Sequence, residues 1–158
     1  MGLDMYLEGR TFLWGNWQHP ERDEKRDGFK IKNVTVELGY WRKHPNLHGY
    51  IVQEFAGGVD ECQEIPLTEE NILQIIDAIS NKDLPTTRGF FFGASDGSED
   101  AESIAVFEKA LEWLKNATPP TRHKPEPLGD SGMVAVAIKP EDFVGAKESR
   151  DVVYQASW

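Results

Sequence analysis

Two stretches of the chain alternate apolar and polar residues, which is the pattern of a strand with one face on a core. In the first stretch, Leu3, Met5 and Leu7 are the apolar positions. The second stretch covers residues 34–41, and we expect the two strands to pair antiparallel. The segment 16–29 between them is densely charged and lacks an apolar period. It is predicted to be an exposed loop.

Three segments carry apolar residues at helical spacing. The first helix is predicted from Pro45 to a stop at Gly57, because proline suits a first helical turn and glycine a C-terminal end. The second follows an N-cap at Thr68 and opens on two glutamates, which favour the positive end of the helix dipole. The third is predicted to follow a cap at Ser95 or Ser98 and also opens on acidic residues.

Further strands are expected in the second half of the chain. The aromatic run 89–93, bracketed by glycines, is typical of a strand covered on both faces and is placed at the centre of the sheet. Residues 133–138 and 151–158 are also predicted strands, whereas the proline-rich segment 118–132 is expected to be an exposed loop. We therefore predict a single globular domain over residues 1–158.

The predicted fold class is α+β. One mixed or mainly antiparallel sheet of about five or six strands would carry three helices packed mostly on one face. The chain has 39% hydrophobic residues, with five Trp and eight Phe, so it has the large apolar groups that disordered chains lack. These residues are sufficient for one core.

Composition also limits the cellular setting. The lone cysteine, Cys62, excludes an internal disulfide and fits a reducing compartment. The first residues include Asp4 and contain no basic stretch followed by an apolar run, so no signal peptide is expected. No stretch is apolar enough for a bilayer span, and we expect neither membrane association nor export. The predicted location is the cytoplasm.

The chain is strongly acidic. Its 27 Asp and Glu residues outnumber 17 Lys and Arg, which gives a net charge of −10. This charge repels phosphate backbones and anionic lipid headgroups, so general nucleic-acid binding is not expected. We interpret the acidity as ordinary solvation of the surface, with mimicry of a nucleic acid as the alternative.

Several short blocks of sequence are spread from the first residues to the last. They are GLDMYL at 2–7, YWRK at 40–43, LH at 47–48, LPTT at 84–87, GFFFG at 89–93 and YQASW at 154–158. Together they resemble a family of small uncharacterised proteins encoded by tailed bacteriophages and prophages. Gly49-Tyr50 departs from that pattern, since such proteins tend to carry a basic and aromatic pair there. The resemblance implies a bacterial-cell setting and carries over no catalytic residue.

The common catalytic signatures are absent: there is no phosphate-binding loop, dinucleotide fingerprint, nucleophile elbow or cysteine pair for zinc. His44 and His48 have the spacing of two metal ligands on one helical face, but His44 precedes a proline and no acidic third ligand follows at a telling interval. We predict neither a metal nor a cofactor. The segment 96–100 suggests a calcium loop only superficially and is interpreted as a helix cap. Cys62 is interpreted as an inert thiol.

The candidate ligand site consists of polar residues set into or beside apolar strands. They are Asp4, Arg42, Lys43, Arg88, Gln155 and Ser157. If the strands pair, several of them meet at one end of the sheet, where they would hold an anionic ligand such as a nucleotide phosphate. In the structural alternative, Arg42 pairs with Asp4, Lys43 lies along apolar surface and the others cap strand ends.

These observations favour a non-catalytic binding protein. We expect a phage accessory protein in the host cytoplasm that engages a host protein or a small anionic ligand. Trp14 and Trp17, beside the charged loop, are the candidate surface for a protein partner.

Two alternatives stay open. The first is a small enzyme acting on a phosphorylated or nucleotide substrate, with His48 as general base and the cations Arg42, Lys43 and Arg88 as anion clamps. The second is a virion or self-assembling structural component. A concave pocket that joins His48 to the arginines would favour the enzyme, whereas a flat patch of exposed tryptophans would favour a protein partner.

Overall fold

The structure is a computed structural model, and it describes residues 2–13, 19–89, 92–116, 121–122, 143–144 and 148–158. The chain divides into two compact units. The first unit consists of Met1–Arg10, Thr35–Asn116 and Arg150–Trp158, and the second of Thr11–Val34 and Ala117–Ser149. A single globular domain over the whole chain stays a prediction.

The described part of the chain has three α-helices and eight strands, together with a short 3-10 turn at Pro20–Arg22. In chain order they are β1 (Asp4–Leu13), β2 (Lys25–Arg26), β3 (Phe29–Lys30), β4 (Asn33–Arg42), α1 (Pro45–Phe55), β5 (Ile65–Leu67), α2 (Glu69–Ser80), α3 (Asp100–Lys115), β6 (Thr121–Arg122), β7 (Phe143–Val144) and β8 (Glu148–Ser157). The predicted α+β class with three helices is confirmed. The bounds of α1, and the presence of β1, β4 and β8, agree with the periodicity of the sequence.

The main sheet has four antiparallel strands in the order β4-β1-β8-β5. Strands β5 and β8 pair with Ile65 opposite Tyr154 and Leu67 opposite Val152. The β2–β3 hairpin and the two-residue β6–β7 ladder are separate antiparallel pairs, which account for the other four of the eight strands. The two central strands of the main sheet therefore come from opposite ends of the described sequence.

The alternation of β1 and β8 produces one apolar face of the sheet. Leu3, Met5 and Leu7 are fully buried, and Tyr154 lies beside them in the same core. All three helices contribute buried residues to this core; they include Leu47, Ile51, Ile72, Ile75, Ile79 and Phe107. The helices therefore cover the face of the sheet that the period of two makes apolar.

Helix α2 is closed at both ends by its own sequence. The Thr68 hydroxyl accepts from the Asn71 N–H at 3.2 Å and the Asn71 side chain accepts from the Thr68 N–H at 3.0 Å, which confirms the predicted N-cap as a capping box. At the other end the Lys82 N–H donates to the Ile79 carbonyl and the Asp83 N–H to the Ala78 carbonyl. This pair of bonds is a Schellman motif, with Lys82 in the left-handed conformation at φ 56°.

Other predictions differ from the structure. Gly89, Phe92 and Gly93 are not in a strand, and the Phe92 N–H donates to the Gly89 carbonyl, so the predicted central strand is wrong at these positions; Phe90 and Phe91 lie outside the described residues. Phe92 is nevertheless buried in the core. An apolar run without a period indicates burial but does not distinguish a strand from a packed loop.

The segment 16–29 also departs from a plain loop. From residue 19 onward it contains the 3-10 turn, all of β2 and the start of β3, and its side chains are mostly exposed. Asp27 and Gly28 join the two strands with φ of 52° and 81°, the pattern of a type I′ turn.

Two further predictions concern loop residues and the start of α3. The N-cap of α3 is Glu99 and it makes no side-chain capping bond, so neither Ser95 nor Ser98 caps this helix as predicted. Apart from the two residues of β6, the segment 118–132 lies outside the described residues, as does the predicted strand 133–138.

Candidate functional site

His48 lies inside α1 and faces the core beside β8. Its Nδ1 is 2.7 Å from the Tyr154 hydroxyl, and its Nε2 is 2.8 Å from Oδ2 of Asp60. Burial, with the nearby Asp60 charge, raises the pKa of Tyr154 well above its usual value, so the hydroxyl keeps its proton and donates to Nδ1. Nε2 then carries the ring proton and donates to the Asp60 carboxylate.

The rest of the His48 environment is also closed. The second oxygen of Asp60 accepts from Nε1 of Trp158 at 3.2 Å. The Phe92 ring packs edge-on against His48 and also contacts Trp158, with centroid distances of 5.3 Å and 6.1 Å. Since both ring nitrogens are engaged and the side chain is 2% exposed, this geometry favours a structural role for His48 over proton abstraction.

His44 occupies the N-cap position of α1, just before Pro45. Its own side chain does not cap the helix. Instead Ser95 closes the helix end, because its Oγ accepts from the Asn46 N–H at 3.2 Å. The same Oγ lies 2.9 Å from Nδ1 of His44.

The second ring nitrogen of His44 has no hydrogen-bond partner among the described residues. The Asp100 carboxylate on the Nε2 side favours the tautomer that carries the ring proton on Nε2, and in that tautomer the Ser95 hydroxyl donates to Nδ1. The nearest carboxylate oxygen, Oδ1 of Asp100, is 3.9 Å from Nε2, too far for a hydrogen bond. His44 is 1% exposed, so a buried donor is left unsatisfied.

Burial lowers the pKa of His44, although the carboxylates of Glu99, Asp100 and Asp96 act in the opposite direction. The net lowering keeps the imidazole neutral at pH 7. In this state Nε2–H is a hydrogen-bond donor without a positive charge.

His44 opens onto a cavity of about 340 Å³ within the first unit. We call it the His44 cavity. Its lining includes His44, Lys82, Leu84, Ser95, Asp96 and Asp100. It is formed where the end of α2, the start of α1 and the loop before α3 meet, and Leu84 is its one apolar side chain among the described lining residues.

The His44 cavity contains charges of both signs. Oδ1 of Asp96 accepts from the N–H and hydroxyl of Ser98 at 2.9 Å and 2.5 Å, and these bonds lower the pKa of Asp96 and keep it ionised. Asp100 is partly exposed at the first turn of α3. Lys82 is exposed and makes no ion pair with another described residue.

The structure places the predicted ligand residues elsewhere. Asp4 accepts from the Tyr40 hydroxyl at 2.6 Å, a bond that raises the pKa of Tyr40, and the Lys43 N–H donates to the Leu3 carbonyl. Asp4, Arg42 and Lys43 therefore lie at the same end of β1 and β4. The partner of Asp4 in this part of the structure is Tyr40, where the structural alternative expects Arg42.

The other predicted ligand residues are not joined to this group by any hydrogen bond or ion pair in the described part. Gln155 donates to the Cys62 carbonyl at 2.9 Å, and both Arg88 and Ser157 are exposed. None of the six predicted residues lines the His44 cavity. Trp14 and Trp17, the predicted partner surface, lie outside the described residues.

Sequence reasoning missed the residues that form this cavity. The segment that begins at Ser95 was interpreted only as a helix cap, and His44 was weighed only as a metal ligand. One signal was present. A histidine directly before a proline at a helix start supplies no side-chain cap, so the first N–H groups of the helix need an acceptor from another part of the chain.

The order Ser95, His44, Asp100 has the residue types of a serine hydrolase triad but not its electrostatics. Asp100 makes no hydrogen bond to the imidazole at 3.9 Å. Asp96 follows the serine directly and lines the same cavity, so the substrate oxyanion of a tetrahedral intermediate at Ser95 would face two carboxylates. The arrangement is suited to holding a ligand more than to acyl transfer.

Metal and membrane functions receive no support from the described residues. They contain no group of three or more His, Cys, Asp or Glu side chains arranged to hold a metal ion. No helix in the same residues is long and apolar enough to cross a membrane.

Comparison of the chain with protein-family models, curated protein sequences and solved structures found no match.

Proposed function

We propose that the protein is a non-catalytic binding protein that holds a small polar molecule in the His44 cavity. One observation carries this proposal: the buried Nε2 of His44 has no hydrogen-bond partner among the described residues, and His44 lines a cavity large enough for a ligand. An unsatisfied buried donor costs roughly 1–3 kcal/mol, and a ligand oxygen that accepts from it would remove that cost.

The dimensions of the cavity support a small ligand. Binding sites for small molecules span roughly 300–1,000 Å³, so the His44 cavity is at the lower end of that range. Most of its lining residues have polar side chains, which favours a ligand recognised by hydrogen bonds and charge over an apolar one.

The proposed setting is that of a phage accessory protein in a bacterial cytoplasm. The support for it is the resemblance of the sequence blocks at 2–7, 40–43, 84–93 and 154–158 to the phage and prophage family. The small-ligand function rests on the cavity and is independent of this setting.

The test is thermal denaturation of the purified protein with a panel of amino acids, sugars, sugar phosphates and nucleotides. A ligand at a hundred times its dissociation constant adds about 2.7 kcal/mol and is expected to raise the midpoint by roughly 5–10 °C. His44→Asn keeps an acceptor for the Ser95 hydroxyl but lacks Nε2, so it should lose most of the shift.

The matched control is His19→Asn, which changes an exposed-loop histidine outside the cavity lining and should keep the full shift. Two outcomes would overturn the proposal. One is the absence of a shift with every compound class, and the other is a shift of equal size in the wild type and His44→Asn.

A further inference from the structure

Resting on the proposed function, we infer that the ligand of the His44 cavity is a neutral molecule with several hydroxyl groups, a monosaccharide or a polyol of similar size. One of its hydroxyl groups bridges His44 and Asp100: it accepts from Nε2–H of the histidine and donates to Oδ1 of the aspartate. The distance between these two side chains and the balance of donors and acceptors around the cavity both point to a hydroxyl group.

The separation of the His44 and Asp100 side chains fits one bridging oxygen atom. Nε2 of His44 and Oδ1 of Asp100 are 3.9 Å apart, which is too far for a direct hydrogen bond. An oxygen atom placed about 2.9 Å from Nε2 and about 2.7 Å from Oδ1 forms both bonds, with an angle of roughly 90° between them. A single ligand atom is therefore able to engage the ring nitrogen and the carboxylate together.

The chemistry of the two groups determines what this ligand atom is. Nε2 carries the ring proton and is a donor, whereas the Asp100 carboxylate is an acceptor. A hydroxyl group accepts through a lone pair and donates its own proton, so it satisfies both. An ionised carboxylate or phosphate oxygen has no proton for Asp100 and would be repelled by it, and an ammonium group has no lone pair for Nε2–H.

The charge around His44 also disfavours an anionic ligand. The imidazole is within electrostatic reach of three carboxylates, those of Asp96, Glu99 and Asp100. Two of them, Asp96 and Asp100, line the cavity together with His44. Lys82 is the one cationic side chain among the described lining residues, and it is exposed. Any group placed on Nε2 therefore lies next to negative charge, which a neutral group tolerates and an anion does not.

The remaining lining residues offer donors and acceptors for further hydroxyl groups. The Asn46 side-chain oxygen accepts from the Thr87 N–H at 3.0 Å, and its amide nitrogen makes no hydrogen bond to another described residue. Oδ1 of Asp96 accepts both bonds from Ser98, whereas Oδ2 accepts none in the described part. Lys82 adds an ammonium donor. A molecule with several hydroxyl groups uses donors and acceptors of this kind without a charge of its own.

The size and the apolar content of the cavity limit the ligand further. A volume of about 340 Å³ is at the lower end of the range for ligand sites, so it suits one sugar ring or a shorter polyol better than an oligosaccharide. Leu84 is the one apolar side chain among the described lining residues, and no aromatic ring is present among them to stack on a nucleobase. A nucleoside is therefore disfavoured.

The experiment begins with calorimetry on the full chain, using D-glucose, D-galactose, D-mannose, D-ribose, myo-inositol and glycerol as neutral probes. The probe that binds most tightly is then compared with its monophosphate, for example D-glucose with D-glucose 6-phosphate. We expect the monophosphate to bind roughly tenfold or more weakly than the neutral parent. This comparison uses the wild type alone, so it is valid even if a variant fails to fold.

Monodeoxy forms of the bound probe then locate the bridging hydroxyl group. His44→Asn and Asp100→Ala should each weaken the parent probe by roughly tenfold, because each removes one end of the bridge. One monodeoxy form lacks the hydroxyl that contacts both residues, so its binding should not be weakened further by either variant. Asp77→Ala, at an exposed helix position outside the cavity lining, is the matched control and should leave every affinity unchanged.

The outcomes separate the neutral ligand from the proposed function. If only amino acids, sugar phosphates or nucleotides bind in a His44-dependent way, the His44 cavity is a ligand site but its assignment to a neutral ligand is wrong. The bridge is wrong if different hydroxyl groups account for the effects of His44→Asn and Asp100→Ala. If no compound of any class binds, a water molecule is sufficient to satisfy the two side chains, and both proposals are wrong.

Discussion

His44 and His48 lie one helical turn apart but have different chemical surroundings. Both nitrogens of His48 are bonded, to Tyr154 and Asp60, so its ring completes a closed buried network. His44 is equally buried but only its Nδ1 is bonded, and the residue lines a cavity. The two buried histidines therefore differ in whether the second ring nitrogen has a partner.

The buried Tyr154–His48 bond should contribute measurably to stability. Tyr154→Phe removes the donor and leaves Nδ1 of His48 buried without a partner, which is expected to lower the free energy of unfolding by roughly 1–3 kcal/mol. Urea denaturation measures this change. Tyr6→Phe is the control, because Tyr6 is partly exposed and makes no side-chain hydrogen bond in the described part; its change should stay within about 0.5 kcal/mol. Equal losses in the two variants would contradict a role for the bond.

At the scale of the elements, the sequence predicted the helices and strands that have a clear apolar period or a capping sequence. The two-residue period of β1 and the capping sequence of α2 each act over a few neighbouring residues, so the sequence contained enough information to place them. The aromatic run at 89–93 lacked such a signal, because burial of Phe92 is possible in a turn as well as in a strand. The Asp27-Gly28 pair is typical of a hairpin turn and predicts the β2–β3 hairpin. The many charged residues around it favoured the interpretation of this segment as a loop.

The end of α2 gives a prediction with an unusual sign. Lys82→Gly relieves the left-handed strain of a side-chain-bearing residue and should raise the free energy of unfolding by about 0.5–1 kcal/mol. Chemical denaturation is the measurement. Lys109→Gly is the opposite control: within α3 it should destabilise the protein by about 1 kcal/mol. A loss of stability in Lys82→Gly would show that the lysine side chain stabilises the helix end by itself.

At the scale of the whole molecule, the candidate site was the least predictable feature. The sequence identified polar residues on strands, such as Asp4 and Gln155, because they interrupt an apolar pattern. The His44 cavity instead combines three segments that are distant in sequence, at 44–46, 82–84 and 95–100, and each is locally an ordinary helix end or loop. Only tertiary packing brings Ser95 to His44, so a period or a motif in one segment has no means of indicating the contact.

The order of the main sheet predicts where the first unit is most stable. Strand β8 has a neighbour on each side, whereas β4 is at an edge of the sheet. We expect the amides of Val153 and Tyr154 to exchange with solvent only through global unfolding, and those of Thr35 and Glu37 on the edge strand to exchange faster. Native-state hydrogen exchange followed by NMR measures both rates. Similar rates in β8 and β4 would contradict this order of stability.

The same strand order has a consequence during protein synthesis. On the ribosome, β1 and β4 emerge and are free to pair long before β8 has been translated. At roughly 5–20 residues per second, the edge of β1 that pairs with β8 waits on the order of ten seconds for its partner strand. The nascent chain is therefore a candidate client for chaperones that shield an unpaired strand edge until translation delivers the strand that completes the sheet.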